Sequence, residues 1–203
     1  MQINHKEHWE KVYKTKKSDE VSWIQKIPST SLALIKSLKL NKTANIIDVG
    51  AGDSNLVDYL LDEGFKNLTV LDISSRAQDR AKKRLGEKAK LVKWITSDIT
   101  EFSPNTFYDL WHDRASFHFL TKKKQIETYV NTVNKYVKGN LILATFSKNG
   151  PQKCSGLQIT QYSDKSLNEI FKFGFKKTSS LIEDHQTPFG TKQNFLFCGF
   201  KKI

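Results

Sequence analysis

The run Asn45-Ile-Ile-Asp-Val-Gly-Ala-Gly-Asp-Ser54 constrains the fold of this chain more than any other segment. Asn45–Val49 reads as a short buried strand, and Gly50 and Gly52 permit the sharp turn that ends it. Leu56–Leu61 has helical spacing, with Gly64 as its stop. A strand followed at once by a helix opens a parallel sheet, because a parallel neighbour needs a helical crossover. The rhythm continues downstream. Asn67–Asp72, Lys90–Thr96, Tyr108–His112 and Asn140–Phe146 are further apolar strand candidates. Between them, Ser74 can cap a helix to Leu85 with Gly86 past its end, and Thr121 can cap one to Tyr136.

Both ends depart from this rhythm. After a helix over 163–173, Phe175–Ile182 and Asn194–Phe200 read as two strands joined by Glu183–Lys192. That connection is too short for a parallel crossover and predicts antiparallel neighbours. The first forty residues read as two helices, His5–Lys16 and Thr30–Leu40, separated by a loop with Trp23 and Pro28. The expected fold is therefore α/β: a seven-stranded, mostly parallel sheet with an antiparallel terminal strand. Helices cover both faces, and residues 1–43 form a helical extension to a domain at 44–203.

Charge first suggests nucleic acid: 33 basic and 21 acidic side chains give +12 over 203 residues. The distribution argues otherwise. Residues 46–110 hold 9 basic and 11 acidic side chains, so the surplus lies outside the segment with the glycine turn. Only Arg76, Arg80, Arg84 and Arg114 are arginines, and lysine is the poorer residue for bidentate phosphate and base contacts. A solvated lysine surface is the simpler reading. Two cysteines, Cys154 and Cys198, cannot staple a secreted scaffold. No apolar run approaches the ~18–20 residues of a membrane span. These features predict a reduced, cytoplasmic protein without a membrane partner.

The turn is not a dinucleotide fingerprint, since Asn55 stands where a third glycine would. Asp48, just before the glycines, would repel a pyrophosphate and suits a cationic ligand. Asp72 follows Gly52 by 20 residues, which puts a carboxylate at the next strand end, able to accept from both hydroxyls of a ribose. Asp98 closes the third strand and can accept from an exocyclic amine.

With Asp48-x-Gly50-x-Gly52, Asp72-Ile73 and Ser97-Asp98-Ile99, the chain resembles the class I (Rossmann-like) S-adenosylmethionine-dependent methyltransferases over residues 44–203. Trp9, Tyr13 and Glu20-Val21-Ser22-Trp23 are similar to the entry segment of methyltransferases related to the elongation-factor and citrate-synthase lysine methyltransferases. The resemblance implies S-adenosyl-L-methionine as cofactor. It implies contacts at Trp9, Tyr13, Trp23, Gly50, Asp72, Ile73, Asp98, Ile99 and Arg114, with residues 1–43 as a lid. Asp48 and Gly50 would hold the methionine moiety, Asp72 the ribose, and Asp98 with Ile99 the adenine; Gly52 belongs to the same turn. Ser54 departs from the pattern, where many members have a further glycine.

Aromatic faces also favour a cationic ligand, which gives Trp9, Tyr13 and Trp23 a role beyond packing. In the family the acceptor meets the methyl group after the fourth strand, here His112-Asp-Arg-Ala-Ser-Phe-His-Phe119. The Asn/Asp-Pro-Pro-Tyr tetrapeptide of adenine and glutamine methyltransferases is absent there, as is the Pro-Cys pair of cytosine-5 enzymes. His118 is a candidate general base or a hydrogen-bonded pocket wall. The loop Pro151–Tyr162, with Cys154, Gln158 and Gln161, and a turn Asp184–Pro188 are further candidates for reaching the acceptor. No Cys/His grouping has metal-ligand spacing. The leading expectation is methyl transfer to a small-molecule acceptor. The alternatives are a protein-lysine methyltransferase and a nucleotide- or RNA-binding module without catalysis.

Overall fold

The computed structural model describes residues 4–203. Its centre is a seven-stranded sheet: β1 (Asn45–Val49), β2 (Asn67–Asp72), β3 (Val92–Thr96), β4 (Tyr108–Arg114), β5 (Val137–Phe146), β8 (Phe175–Gln186) and β9 (Lys192–Lys202). Their spatial order is β3-β2-β1-β4-β5-β9-β8. Pairings from β3 to β5 are parallel, whereas β9 runs antiparallel to both β5 and β8. A small hairpin, β6 (Lys153–Cys154) with β7 (Leu157–Gln158), follows β5.

Strand alternation divides the core into two layers. Ile46, Leu68, Val70, Leu110 and Ile142 pack against α2 (Ser29–Ser37), α3 (Leu56–Asp62) and α4 (Ser75–Leu85) through Ile35, Leu56, Leu60 and Leu85. On the other face Ile47, Trp111, Leu141 and Leu143 meet α5 (Lys123–Tyr136) and α6 (Asp164–Phe171) through Tyr129, Val133, Leu167 and Phe171. Because the period is two, Asp48, His112 and Arg114 share the first face, and Asp113 belongs to the second.

Local signals account for several helix ends. Ser74 caps α4 by accepting from Ala77 N, and Gly86 ends that helix at φ +56°. α1 (His5–Thr15) starts at Asn4, whose side chain accepts from Glu7 N, and it docks on α4. There the Glu10 carboxylate takes Ser75 N at 2.7 Å and the Arg76 guanidinium at 3.2 Å.

Several boundaries differ from expectation, among them β4, which runs on to Arg114, and β5, which starts at Val137. α2 ends before Leu40 because the chain turns left-handed at Lys39, φ +49°. β3 starts at Val92, since Gly86–Leu91 forms a 3-10 turn. Thr121 does not cap α5; Gln125 Oε1 instead accepts from Lys122 N at 3.1 Å. The strands of the terminal hairpin run longer than their apolar cores, so Asp184 and His185 lie inside β8, paired with Asn194 and Gln193, not in a turn.

Candidate active site

A cavity opens at the carboxyl ends of β1, β2, β3 and β4, where an open α/β sheet binds its ligands. Its volume is about 850 Å³ including its open mouth. The floor is Gly50, Leu71, Asp72, Ile73, Asp98 and Ile99. Trp9 and Tyr13 from α1, Trp23 from the following loop, and Phe119 after β4 form an aromatic wall. Trp9 meets Trp23 and Phe119 edge-on at 5.6 and 5.1 Å between centroids.

The glycine turn is built for close approach. Gly50 has φ +62°, and a β-carbon there would stand 2.3 Å from Ser116 Cβ. Gly52 has φ +58° and faces the Tyr13 hydroxyl, where a β-carbon would stand 2.2 Å away. Its N–H donates to Asp72 Oδ2 at 2.7 Å, and Ser74 N donates to Asp72 Oδ1 at 2.8 Å. Both bonds favour the carboxylate, but burial dominates, helped by Asp48 and Asp53, and raises the Asp72 carboxyl to about 6. Asp98 is held by Thr100, whose N–H and hydroxyl donate to Oδ1 at 2.8 and 2.7 Å.

A smaller recess adjoins the cavity and shares Trp23, Gly50 and Arg114 with it. Asp48 and Asp53 line this recess, and Asp53 Oδ1 is sealed from solvent without a hydrogen-bond partner among the described residues. Arg114 donates through Nη1 to Trp23 O at 3.0 Å, and its guanidinium lies 4.7 Å from the centre of the Phe195 ring. Its Nε and Nη2 are sealed from solvent and find no partner among the described residues. Those two N–H groups lie along one edge of the guanidinium, the fork that grips a carboxylate bidentately. Burial lowers the Arg114 pKa to about 10, which leaves the group charged at neutral pH.

Nine expected contacts border the main cavity: Trp9, Tyr13, Trp23, Gly50, Asp72, Ile73, Asp98, Ile99 and Arg114. Asp48 borders the recess. Gly52 borders neither and acts on the floor through Asp72. His118 does not reach the cavity. It is fully buried, its Nδ1 accepts from Phe146 N at 3.3 Å, and its ring stacks on Phe146. Burial, reinforced by the Arg114 charge, lowers its pKa to about 3, so it stays neutral behind the wall.

The Asp184–Pro188 segment is also displaced from its expected place. His185 Nε2 donates to Ser22 O at 2.7 Å and so positions the loop that carries Trp23. Cys154 borders the cavity from β6, but burial pushes its thiol up to about 12 and removes thiolate reactivity. His5, Ser97 and Ala115 also line the cavity, as do Ser116, Phe119, Leu120 and Gln125; the last four carry no local pattern that distinguishes a cavity wall from core or solvent. Among the described residues, no group of three or more His, Cys, Asp or Glu could hold a metal ion, and no helix is long and apolar enough to cross a membrane.

Comparison with known proteins agrees with this geometry. Residues 46–140 match the family described as "Methyltransferase domain". Malonyl-[acyl-carrier protein] O-methyltransferase 2 of Ilyobacter polytropus is 29% identical over 132 residues, 64% of this chain and 49% of that protein. A crystal structure of an S-adenosylmethionine-dependent methyltransferase from Anabaena variabilis superposes with a TM-score of 0.77 at 15% identity, covering 100% of this chain and 96% of the other. The N-methyltransferase NodS of Bradyrhizobium japonicum, in complex with S-adenosyl-L-homocysteine, gives 0.71 at 17% identity, covering 96% and 98%. Residues 46–140 therefore carry a methyltransferase-domain match, and the chain has the class I, Rossmann-like fold of these S-adenosylmethionine-dependent methyltransferase structures. It spans about half the length of the Ilyobacter relative, or 49%.

Proposed function

We propose that the cavity binds S-adenosylmethionine and that the chain transfers its methyl group to a small-molecule acceptor. One observation carries this reading: the buried Asp72 carboxylate and the bare Gly50 backbone share a cavity whose adjoining recess pairs acids with an unsatisfied guanidinium edge. A nucleoside with a zwitterionic amino-acid tail and a sulfonium centre matches those charges group by group.

In this assignment Asp72 accepts from the ribose hydroxyls, while Asp98 and the Ile99 side chain hold the adenine. Asp48 faces the tail's ammonium, and the Arg114 charge, which borders both spaces, balances the tail's carboxylate. Trp9, Tyr13 and Trp23 close over the cofactor, which makes residues 1–43 a lid on the domain at 44–203. Ile73 packs against the nucleoside, and Gly52 keeps Asp72 in place.

The cofactor, when bound, supplies an electrophilic methyl group on sulfur, so the protein's task is position and exclusion of water. Gly50 lets the backbone approach without a side chain. Ionised Asp72 accepts hydrogen bonds that its protonated form would lose. The aromatic wall shields the reacting face and favours positive charge. The Cys154 thiol stays protonated and His118 lies behind the wall, so neither takes a proton from the acceptor.

Support for a small acceptor comes from a structural neighbour, the 1,6-didemethyltoxoflavin-N1-methyltransferase of Burkholderia thailandensis, which holds 1,6-didemethyltoxoflavin and S-adenosylhomocysteine. The test is calorimetry with S-adenosylmethionine and S-adenosylhomocysteine. Heat of binding from both is expected, and no heat from folded protein overturns the reading. Methylation assays over small thiols, amines and carboxylates then separate a small acceptor from a protein side chain.

A further inference from the structure

We propose that His112 and Ser31 are positioning residues for the cofactor's amino-acid tail: they hold the Asp48 carboxylate so that its second oxygen faces the ammonium group. The inference rests on the reading of the recess given above. Asp48 and His112 stand directly opposite each other in the β1–β4 ladder, on the same face of the sheet. His112 Nδ1 lies 2.7 Å from Asp48 Oδ1, and His112 Nε2 lies 2.9 Å from Ser31 Oγ on α2. All three are buried, at 5, 2 and 1% exposure for Asp48, His112 and Ser31.

The donor pattern follows from the acid. An ionised carboxylate only accepts, so His112 carries a proton on Nδ1 and donates it to Asp48. With Nδ1 so engaged, Nε2 meets the Ser31 hydroxyl, and the two contacts together fix the ring's orientation. An aspartate so bound at one oxygen cannot turn its carboxyl group freely. Asp48 Oδ2 takes no hydrogen bond from the described residues, and Asp48 lines the recess.

The order Ser–His–Asp resembles an activated nucleophile, but Ser31, at 1% exposure, borders only the recess and not the main cavity. The arrangement therefore orients instead of attacking. It also ties α2, through one hydrogen-bonded imidazole, to the strand that delivers the glycine turn.

Calorimetry on the full chain can separate this role from general stability. S-adenosylhomocysteine carries the amino-acid tail, and 5′-methylthioadenosine keeps the nucleoside and thioether without it. His112→Phe is expected to weaken S-adenosylhomocysteine about tenfold and to leave 5′-methylthioadenosine within about twofold. His112→Asn, which keeps a donor near the Nδ1 position, restores most of the loss. Ser31→Ala gives a smaller loss of about threefold in the same direction, and carries the test if His112→Phe does not fold. Equal weakening of both ligands, or no change in either, overturns the proposal while leaving cofactor binding intact. Wild-type protein that binds neither ligand overturns both the proposal and the reading beneath it.

Discussion

Gly52 donates its backbone N–H to the Asp72 carboxylate across 2.7 Å, tying the turn after β1 to the end of β2. One side chain therefore shapes the loop and presents acceptors to the cavity. Asp72→Ala is expected to weaken S-adenosylmethionine binding on the order of 100-fold, through the loss of two hydrogen bonds to a charged acceptor and a loosened turn. His118→Ala should leave affinity within about threefold while lowering stability by about 3 kcal/mol, as large-to-small core changes do. Calorimetry and denaturant titration on the two variants check the contrast.

The same carboxylate sets a pH dependence. Burial raises Asp72 to about 6, so it is ionised at neutral pH and protonated below. Protonation removes an acceptor, and affinity should be flat above pH 7 and fall by up to about tenfold per pH unit below pH 6. Affinity measured from pH 5 to 8 on wild type and Asp72→Asn checks it, since the variant lacks that slope.

His118 gives a stability profile of opposite origin. Its folded pKa, near 3, lies below the usual 6.5, so the folded state binds fewer protons than the unfolded one between those values. The stabilisation is present above about pH 6.5 and is lost as pH falls toward 3. Between pH 7 and 5, wild type should lose about 2 kcal/mol more than His118→Phe. Unfolding free energies at the two pH values settle the comparison.

Gly50→Ala tests the close approach. A β-carbon there meets Ser116 and needs a left-handed backbone, whereas Gly64, also left-handed, has nothing within 4 Å of that position. Gly64→Ala should cost about 1 kcal/mol from backbone strain alone. Gly50→Ala should cost at least about 2 kcal/mol and lose cofactor binding. Melting curves and calorimetry on both variants give the answer.

Much of this architecture can be read locally. Apolar strands, the glycine turn and the acids at three strand ends follow from periods of two and 3.6 residues with their stops. The Ser31–His112–Asp48 relay is invisible there: its members are 81 and 64 residues apart, and only the β1–β4 register brings them together. His118 shows the converse. Its neighbours Phe117 and Phe119 are compatible with a cavity wall or a core, and burial against Phe146 decides for the core side of the wall. Cys154 reads as loop-borne until β6 and β7 pair and bury it. Asp184 and His185 read as a turn because their stretch is polar, yet β8 sits at the sheet edge, where alternate residues can be polar and still be paired.

The loop that carries Trp23 is clasped by the other end of the chain. His185 and Gln193 bind Ser22 across separations of 163 and 171 residues, and Glu183 takes Gln25 and Thr30. On the ribosome, then, Ser22 in this part of the aromatic wall emerges 163 residues ahead of the His185 that anchors it. Contacts of such long range form late in folding. The order of synthesis therefore delays the finished cavity until β8 and β9 have been made and paired.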